Sequence, residues 1–263
     1  MKRFVSLCAV LSVMLVCTPA AGALPAAATK VFYPPITIIG AHNDNVTSGN
    51  WSGYAVASTS QFTEVAGSWV QPKATCSSFG KTYAAFWVGL DGYTSSSVEQ
   101  LGTDSDCTGL NSPSYYAWYE MYPAGSVDLS TTQYPVKVGD TLTGTVVRSG
   151  TSYTLSLQSS EGWNFSIVKT GSDANSSAEW IAEAPQICTL GIFCSNAKLS
   201  NYGAMTFSAS QAATGGALSP ISSFTAASGP HAITMASSSG TVRAQPSALM
   251  SGGQSFSDTW KHA

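Results

Sequence analysis

Charged residues are scarce in this sequence, and no apolar run in it is long enough to span a membrane. Only 10% of the 263 residues are charged, and the eleven Lys and Arg residues form no basic stripe, which disfavours a nucleic-acid partner. A membrane-spanning helix needs roughly 20 apolar residues, whereas the longest apolar run, Phe4–Cys17, is shorter. We therefore expect neither nucleic-acid binding nor a membrane span.

The N-terminus has the order of features typical of a signal peptide. Lys2 and Arg3 precede the apolar run, and the small residues Ala21–Ala23 follow it. This arrangement predicts that residues 1–23 are a secretory signal peptide and that the mature protein is secreted and extracellular. Without the two basic residues of the leader, nine basic residues remain against fourteen acidic ones, a formal charge of −5.

Two of the six cysteines lie in the leader. The mature chain keeps Cys76, Cys107, Cys188 and Cys194. In an oxidising compartment these four predict two disulfides. Their connectivity stays open, although the short spacing of the last two favours a loop closed by that pair. A zinc site is disfavoured because the ligand spacing is unusual and the three histidines, His42, His231 and His262, lie far from the cysteines. We expect no metal and no cofactor.

The mature chain divides into a short N-terminal segment and one domain. Residues 24–49 are rich in Ala and Pro, then in Asn and Asp, without sustained periodicity, which predicts a propeptide or linker. Residues 50–263 are within the size of a single all-β domain.

Short alternating runs fill this domain and predict its strands. They are Ser52–Ala57, Glu64–Val70, Ala84–Leu90, Tyr115–Tyr122, Thr141–Val147, Thr151–Gln158, Trp163–Lys169, Ala178–Glu183, Ala204–Ser208, Ile233–Ala236 and Ser255–Trp260. Gly, Ser, Asn and Pro separate them, and no amphipathic helix is evident. This pattern predicts an antiparallel sandwich or barrel.

Alternation within four strands places polar and aromatic residues on common sides. The groups are Tyr116, Trp118, Glu120 and Tyr122; Trp87, Gly89 and Asp91; Val98, Gln100, Gly102 and Asp104; and Glu179, Ile181 and Glu183. One such strand alone is typical of the half-exposed face of a sheet. Four together, carrying carboxylates and an amide among aromatic rings, indicate a groove for an extended polymer, either a peptide or a sugar chain.

Five segments carry a family resemblance. They are GNWSGYAV at Gly49–Val56, FWVGLDG at Phe86–Gly92, EQLGTD at Glu99–Asp104, YAWYEMYPAG at Tyr116–Gly125 and SAEWIAE at Ser177–Glu183. In these segments, in their order and in their approximate spacing, the sequence resembles the glutamic peptidases, or eqolisins. With weaker similarity up to the terminal SFSDTW, the resemblance spans nearly the whole mature chain.

The resemblance implies a lectin-like sandwich of two antiparallel sheets with a catalytic Gln and Glu on its concave face. In this sequence the pair corresponds to Gln100 and Glu179. The surrounding shell corresponds to Trp87, Asp91, Asp104, Glu120 and Tyr122. The sequence departs from the family pattern at Glu99 and Met121, whose side chains should point away from the groove by alternation.

These residue types suit acid-dependent amide hydrolysis. An ionised Glu179 can take a proton from water and return it to the leaving nitrogen, while the amide of Gln100 stabilises the oxyanion. A carboxylate with a reference pKa of about 4.3 stays partly ionised in acid, where a histidine base would be protonated. We expect a monomeric, acid-active endopeptidase whose partners are protein or peptide substrates.

Other hydrolase classes fit less well. No G-x-S-x-G motif supports a serine hydrolase, and no internal repeat supports a two-aspartate peptidase. A carbohydrate-binding or glycoside-hydrolysing lectin-like sandwich remains the alternative. It would use Trp87, Trp118 and Tyr122 as sugar platforms, with Glu120 and Glu179 as the carboxylate pair in a glycosidase.

Overall fold

A computed structural model describes residues 29–42, 45–77, 80–109, 112–189, 193–225, 229–250 and 252–263. The predicted signal peptide lies outside the described residues. Within them, the only helical element is a 3₁₀ turn at Ile221–Ser223, and no helix is long and apolar enough to cross a membrane.

The described residues form twenty β-strands. The first ten are β1 Thr29–Phe32, β2 Ile38–His42, β3 Asn45–Ser48, β4 Trp51–Ala57, β5 Glu64–Val70, β6 Ala85–Leu90, β7 Val98–Gly109, β8 Ser112–Tyr122, β9 Val127–Asp128 and β10 Thr141–Ser149. The second ten are β11 Ser152–Ser159, β12 Asn164–Thr170, β13 Ser177–Glu183, β14 Gln186–Thr189, β15 Phe193–Asn196, β16 Ala204–Ala213, β17 Ser219–Pro220, β18 His231–Ala236, β19 Val242–Pro246 and β20 Phe256–Trp260.

The strands form two antiparallel layers joined at one edge. The first layer has the order β9-β8-β7-β6-β13-β4-β18. The second has the order β12-β11-β10-β5-β16-β20-β19, and pairing between β18 and β19 connects the two. The predicted all-β sandwich of antiparallel sheets is confirmed.

The main hydrophobic core lies between the layers. Phe86, Val88 and Leu90 on β6 are fully buried and belong to the same cluster as Leu155 and Leu157 on β11. Alternate residues of each strand face this core, as period-two side-chain geometry requires. The opposite face of the first layer carries a second buried cluster, which is rich in tryptophan. A sandwich with one solvated outer face would lack such a cluster, so this face has a covering.

The N-terminal residues provide part of that covering. Strand β3 pairs in parallel with β18, β2 pairs with β3, and β1 joins β14 and β15 in a separate three-stranded sheet. Each of the eleven predicted runs overlaps a strand and, apart from β7, the strands without a predicted run are short: β1, β2, β3, β9, β14, β15, β17 and β19. Of the N-terminal strands, β1 pairs with β14 and β3 with β18, both far along the chain, whereas β2 pairs with its neighbour β3.

Both predicted disulfides are present. Cys188 and Cys194 face each other across the β14–β15 hairpin, with an S–S distance of 1.98 Å. Cys76 and Cys107 join the loop after β5 to β7 over a separation of 31 residues. The pairing is the one that the short spacing favoured.

Candidate active site

One row of residues crosses the outer face of the first layer. Strand register aligns Glu120 with Gln100, Gln100 with Gly89, and Gly89 with Glu179. Residues directly opposite each other on paired strands share a face, so the two candidate catalytic residues lie on one surface. A single strand separates them, which places their backbones about 10 Å apart. We call these four residues the catalytic row.

Gly89 leaves the space between the two candidate catalytic side chains open. A Cβ atom at this position would lie 3.0 Å from Cβ of Gln100 and 3.0 Å from Cζ3 of Trp87. Ordinary carbon contacts are longer than this. The glycine therefore lets side chains from the neighbouring strands approach a common point above β6.

A second row lies four residues away on the same strands. Register aligns Tyr116, Asp104, Ala85, Glu183 and Trp51. The Glu183 carboxylate accepts hydrogen bonds from Trp87 Nε1 at 2.9 Å and from Asn50 Nδ2 at 3.2 Å. Its role is to position these side chains. Alternation placed Glu183 beside Glu179 on one side of β13, but gave no sign of these partners.

The Gln100 side chain is fully buried, and its orientation is set by its partners. Nε2 donates to Oε2 of Glu120 at 2.9 Å and to the main-chain carbonyl oxygen of Tyr33 at 2.6 Å. Both amide hydrogens are therefore used, and Oε1 has no partner within the described part of the chain. An amide held in this way presents a donor to a peptide carbonyl.

Glu120 supports the amide from the next strand. Its Oε2 also accepts the Tyr33 N–H at 3.0 Å. Burial raises the pKa of Glu120 to about 8, and the hydrogen bonds from Tyr33 and Gln100 partly oppose the rise. In acid this carboxyl group is neutral, so it adds no negative charge beside the place where an oxyanion would form.

Glu179 is completely buried and is the least satisfied carboxyl group of the site. Neither of its oxygens has a hydrogen-bond partner of normal geometry among the described residues. Burial raises the pKa of Glu179 well above its usual range. The nearby Ser177 hydroxyl and the main chain of Tyr93 partly oppose this rise. Because buried polar groups are normally paired, a carboxyl group left this way is suited to binding a water or substrate atom.

Asp104 and Asp106 share a tyrosine hydroxyl. Oδ1 of Asp104 accepts from Trp118 Nε1 at 2.7 Å, and its Oδ2 accepts from the Tyr33 hydroxyl at 3.1 Å. The Tyr116 hydroxyl lies 3.0 Å from Oδ2 of Asp104 and 2.9 Å from Oδ2 of Asp106. Burial raises the pKa of both carboxyl groups. One hydroxyl hydrogen cannot serve both, so a protonated carboxyl group completes the network.

The other predicted shell residues differ in how they take part. Trp87 makes an edge contact with Trp51, with ring centroids 4.9 Å apart. Asp91 accepts the N–H groups of Asn175 and Ser176, the latter at 2.8 Å, so it holds the loop that leads into β13. Tyr122 is partly buried against the tryptophan-rich cluster.

The two departures from the family pattern lie on the other face of their strands. Glu99 pairs with Leu90 in the row that faces the main core, and Met121 packs against that core. Burial raises the pKa of Glu99 to about 10, and the carboxyl groups of Asp173 and Asp91 add to the rise. No group of three or more candidate metal ligands occurs among the described residues.

Comparison with known proteins decides the family. Residues 49–258 match the description "Peptidase A4 family". The chain belongs to this family, the eqolisins. It is therefore a glutamic endopeptidase that acts on peptides, which confirms the family resemblance and decides against the carbohydrate alternative.

Solved structures show the same fold. Scytalido-glutamic peptidase with a transition-state analogue inhibitor is 23% identical, with a TM-score of 0.67, and its complex with a peptide-based analogue is 24% identical, with a TM-score of 0.65. SCP-B, described as an eqolisin in complex with the tripeptide Ala-Ile-His, is 23% identical, with a TM-score of 0.62. Each alignment covers 81% of this chain and 98% of the other. Among curated proteins, none matches this sequence.

Proposed function

We propose that the chain is a secreted, monomeric, acid-active endopeptidase in which Glu179 activates water and Gln100 stabilises the oxyanion. The supporting observation is that the Gln100 amide donates a hydrogen bond of 2.6 Å to a main-chain carbonyl oxygen, that of Tyr33. Gln100 lies on the same face as Glu179, with only Gly89 between the two residues. Export is supported by the leader pattern and the two disulfides.

The proposed reaction uses this arrangement. Ionised Glu179 accepts a proton from water, and the resulting hydroxide adds to the scissile carbonyl carbon. The Gln100 N–H donates to the oxygen as it becomes negative, and Glu120 holds that amide in place. Glu179 then gives the proton to the leaving nitrogen, and the C–N bond breaks.

Acid activity is supported by the type of base and by the composition of the fold. Burial raises the pKa of Glu179 in the covered site, so the mechanism requires that water and substrate enter and relieve this desolvation. The carboxylate can then act as a base at a pH where histidine is protonated. The single ion pair among the described residues joins Lys137 to Glu161 on the surface, so acid disrupts few pairings in the folded state.

Digestion of labelled casein from pH 2 to 8 tests the proposal. The chain is first incubated in acid, and a pepsin-type inhibitor is included throughout. We expect activity in acid that the inhibitor does not affect. Gln100→Ala should lose about 10² to 10³ in kcat, the cost of one oxyanion donor, and Glu179→Gln should be inactive. Glu161→Gln, which changes an exposed carboxylate, is the matched control. Hydrolysis that peaks near neutral pH and survives Glu179→Gln would refute the mechanism.

A further inference from the structure

The catalytic row continues past Glu179 for two further strands. Register between β13 and β4 aligns Glu179 with Ala55, and register between β4 and β18 aligns Ala55 with His231. Residues directly opposite each other on paired strands share a face of the sheet. His231, the first residue of β18, therefore lies on the face that carries Gln100 and Glu179.

The packing of β18 gives the same orientation independently. Ile233 is two residues from His231, so the two side chains project to the same side of the strand. Ile233 is fully buried in the tryptophan-rich cluster of the outer face, together with Trp87 and Ile181. Register and packing therefore agree that His231 faces the candidate active site rather than the main core.

An aromatic partner holds the His231 ring. The ring stacks on Tyr93, with centroids 5.0 Å apart and planes at 22°. Tyr93 follows the end of β6 and packs against the same outer-face cluster. A stack uses the ring faces, whereas imidazole donates hydrogen bonds from the nitrogen atoms at the ring edge. The His231–Tyr93 pair can therefore keep its stack while the imidazole binds a ligand.

This end of the row is open to solvent. His231 and Tyr93 are partly exposed, whereas Gln100, Glu120 and Glu179 are fully buried. A peptide can therefore contact the His231–Tyr93 pair directly.

His231 is the only basic residue in the two rows of this face. The extended catalytic row contains Glu120, Gln100, Gly89, Glu179, Ala55 and His231, and the second row contains Tyr116, Asp104, Ala85, Glu183 and Trp51. Burial raises the pKa of all four carboxyl groups in these rows. Before substrate enters, these groups are neutral in acid, whereas a histidine is positively charged there. The charge at this end of the row therefore favours an anionic ligand.

The elements packed around β18 bring other titratable groups to this region besides Tyr93. Glu179 lies two strand spacings away, about 10 Å, Asp91 precedes Tyr93 by two residues, and His42 pairs with Asn45 on the far side of β18. The carboxylate of Asp91 already accepts two main-chain N–H groups of the loop before β13. A carboxylate that pairs with the imidazolium must therefore come from a ligand.

The distance from the cut bond limits which substrate side chain can reach His231. Strand β6, which carries Gly89, and strand β18 are three strand spacings apart, or about 14 Å. An extended peptide advances about 3.4 Å per residue, so it covers this span in about four residues. Long side chains shorten the span, so we expect the contacted side chain about two to four residues from the cut bond.

We propose that His231, stacked on Tyr93, forms a substrate subsite that selects an acidic side chain near the cut bond. The group recognised is a carboxylate, which accepts a charge-assisted hydrogen bond from the imidazolium. The effect on cleavage rests on the proposed function, whereas the binding preference needs no turnover. His231 is in this sense a specificity-determining residue.

Digestion of a mixed peptide library at pH 5, with the cut sites read by mass spectrometry, tests the effect on cleavage. Glutamate is mostly ionised at this pH, so the wild-type chain should prefer Glu over Gln about three- to fivefold at one position near the cut, as for a favourable ion pair at a surface. His231→Gln should lose this preference, and His231→Lys, which keeps a positive charge, should retain it. His262→Gln, at an exposed position, is the matched control.

The pH dependence provides a second check on the same chains. At pH 3 glutamate is mostly protonated, so the preference should fall in the wild type and in His231→Lys alike. A preference for Glu that is unchanged in His231→Gln, or that persists at pH 3, would overturn the proposal.

Peptide binding to the Glu179→Gln chain separates this proposal from the catalytic assignment. The probe is a short peptide of Ala and Ile with two Glu residues, and its counterpart has Gln at the same positions. The chain has three histidines, so their ring signals can be followed by NMR, and adding His231→Gln identifies one of them. At pH 5 the Glu peptide should shift the His231 signal and bind about three- to fivefold more tightly than the Gln peptide.

The same measurement at pH 8 compares the two basic side chains. Histidine is neutral at this pH and lysine is not, so the preference should be lost with His231 and kept with His231→Lys, both in the Glu179→Gln chain. Equal affinities of the Glu and Gln peptides at pH 5 would refute the subsite. The expected preference combined with no hydrolysis by any variant would refute only the proposed function.

Discussion

Substituting Gly89 tests whether the open space in the catalytic row is needed for chemistry. In Gly89→Ala the new methyl group would lie 3.0 Å from Cβ of Gln100 and from the Trp87 ring. Carbon atoms in contact normally lie about 3.5 to 4.0 Å apart, so one neighbour must move by roughly 0.5 to 1 Å. One of the two neighbours is Gln100, the proposed oxyanion donor.

The size of the effect follows from the displacement. A misplacement of about 1 Å at a reacting group can cost about 10² in rate, or about 2.7 kcal/mol of transition-state stabilisation. Overpacking also costs about 1 to 3 kcal/mol of folding stability. A control must therefore share the loss of stability without touching the catalytic face.

Gly144→Ala provides that control. Its added methyl group would lie 2.9 Å from Cγ2 of Val88 and 3.2 Å from the Trp69 ring, both in the main core. We expect Gly89→Ala to lower kcat/KM about 10²-fold on a fluorogenic peptide and Gly144→Ala to leave it within about threefold, with both variants losing thermal stability. All chains are first incubated in acid, as in the casein digestion. Retention of more than a third of kcat/KM in folded Gly89→Ala would refute the reasoning.

Two further predictions concern stability. Burial raises the pKa of Asp258 to about 6; the folded state therefore binds this proton more tightly than the unfolded state, and stability falls as pH rises from about 4 to 6. Over that range the wild type should lose about 3 kcal/mol more free energy of unfolding than Asp258→Asn, because each pH unit between the unfolded and folded pKa values is worth about 1.4 kcal/mol. Equal losses in the two proteins, measured by urea denaturation at several pH values, would contradict this prediction. Replacing Cys76 and Cys107 with Ala should lower the free energy of unfolding by about 4 kcal/mol, and replacing Cys188 and Cys194 should lower it by about 2 kcal/mol. The reason is that the first disulfide closes a loop of 31 residues and the second a loop of 6. A larger loss from the second replacement, measured by urea unfolding, would contradict the loop-entropy argument.

Much of the candidate site could be predicted from the alternation of side chains within single strands. Side chains alternate along a strand whatever the strand pairs with, so the sequence alone grouped Gln100 with Asp104 and Glu179 with Glu183. The same alternation put Glu99 on the other face, where the structure has it. The family motifs named the candidate pair, because they are contiguous segments that can be compared directly.

Only the tertiary structure decided which of these grouped residues meet and what covers them. The catalytic row depends on the register of four strands, and a shift of one residue would send every side chain of a strand to the other face. Tyr33 reaches Gln100 and Glu120 from 67 and 87 positions away. The segment around Tyr33 shows no periodic pattern in its sequence. Hydrogen bonds to distant residues and two consecutive prolines hold its conformation. The sequence by itself therefore determined most strands of the two layers, the faces of their side chains and the chemical groups available. The register, the partners of Glu183 and the covered state of the groove required the folded chain, since each depends on contacts between residues distant in sequence.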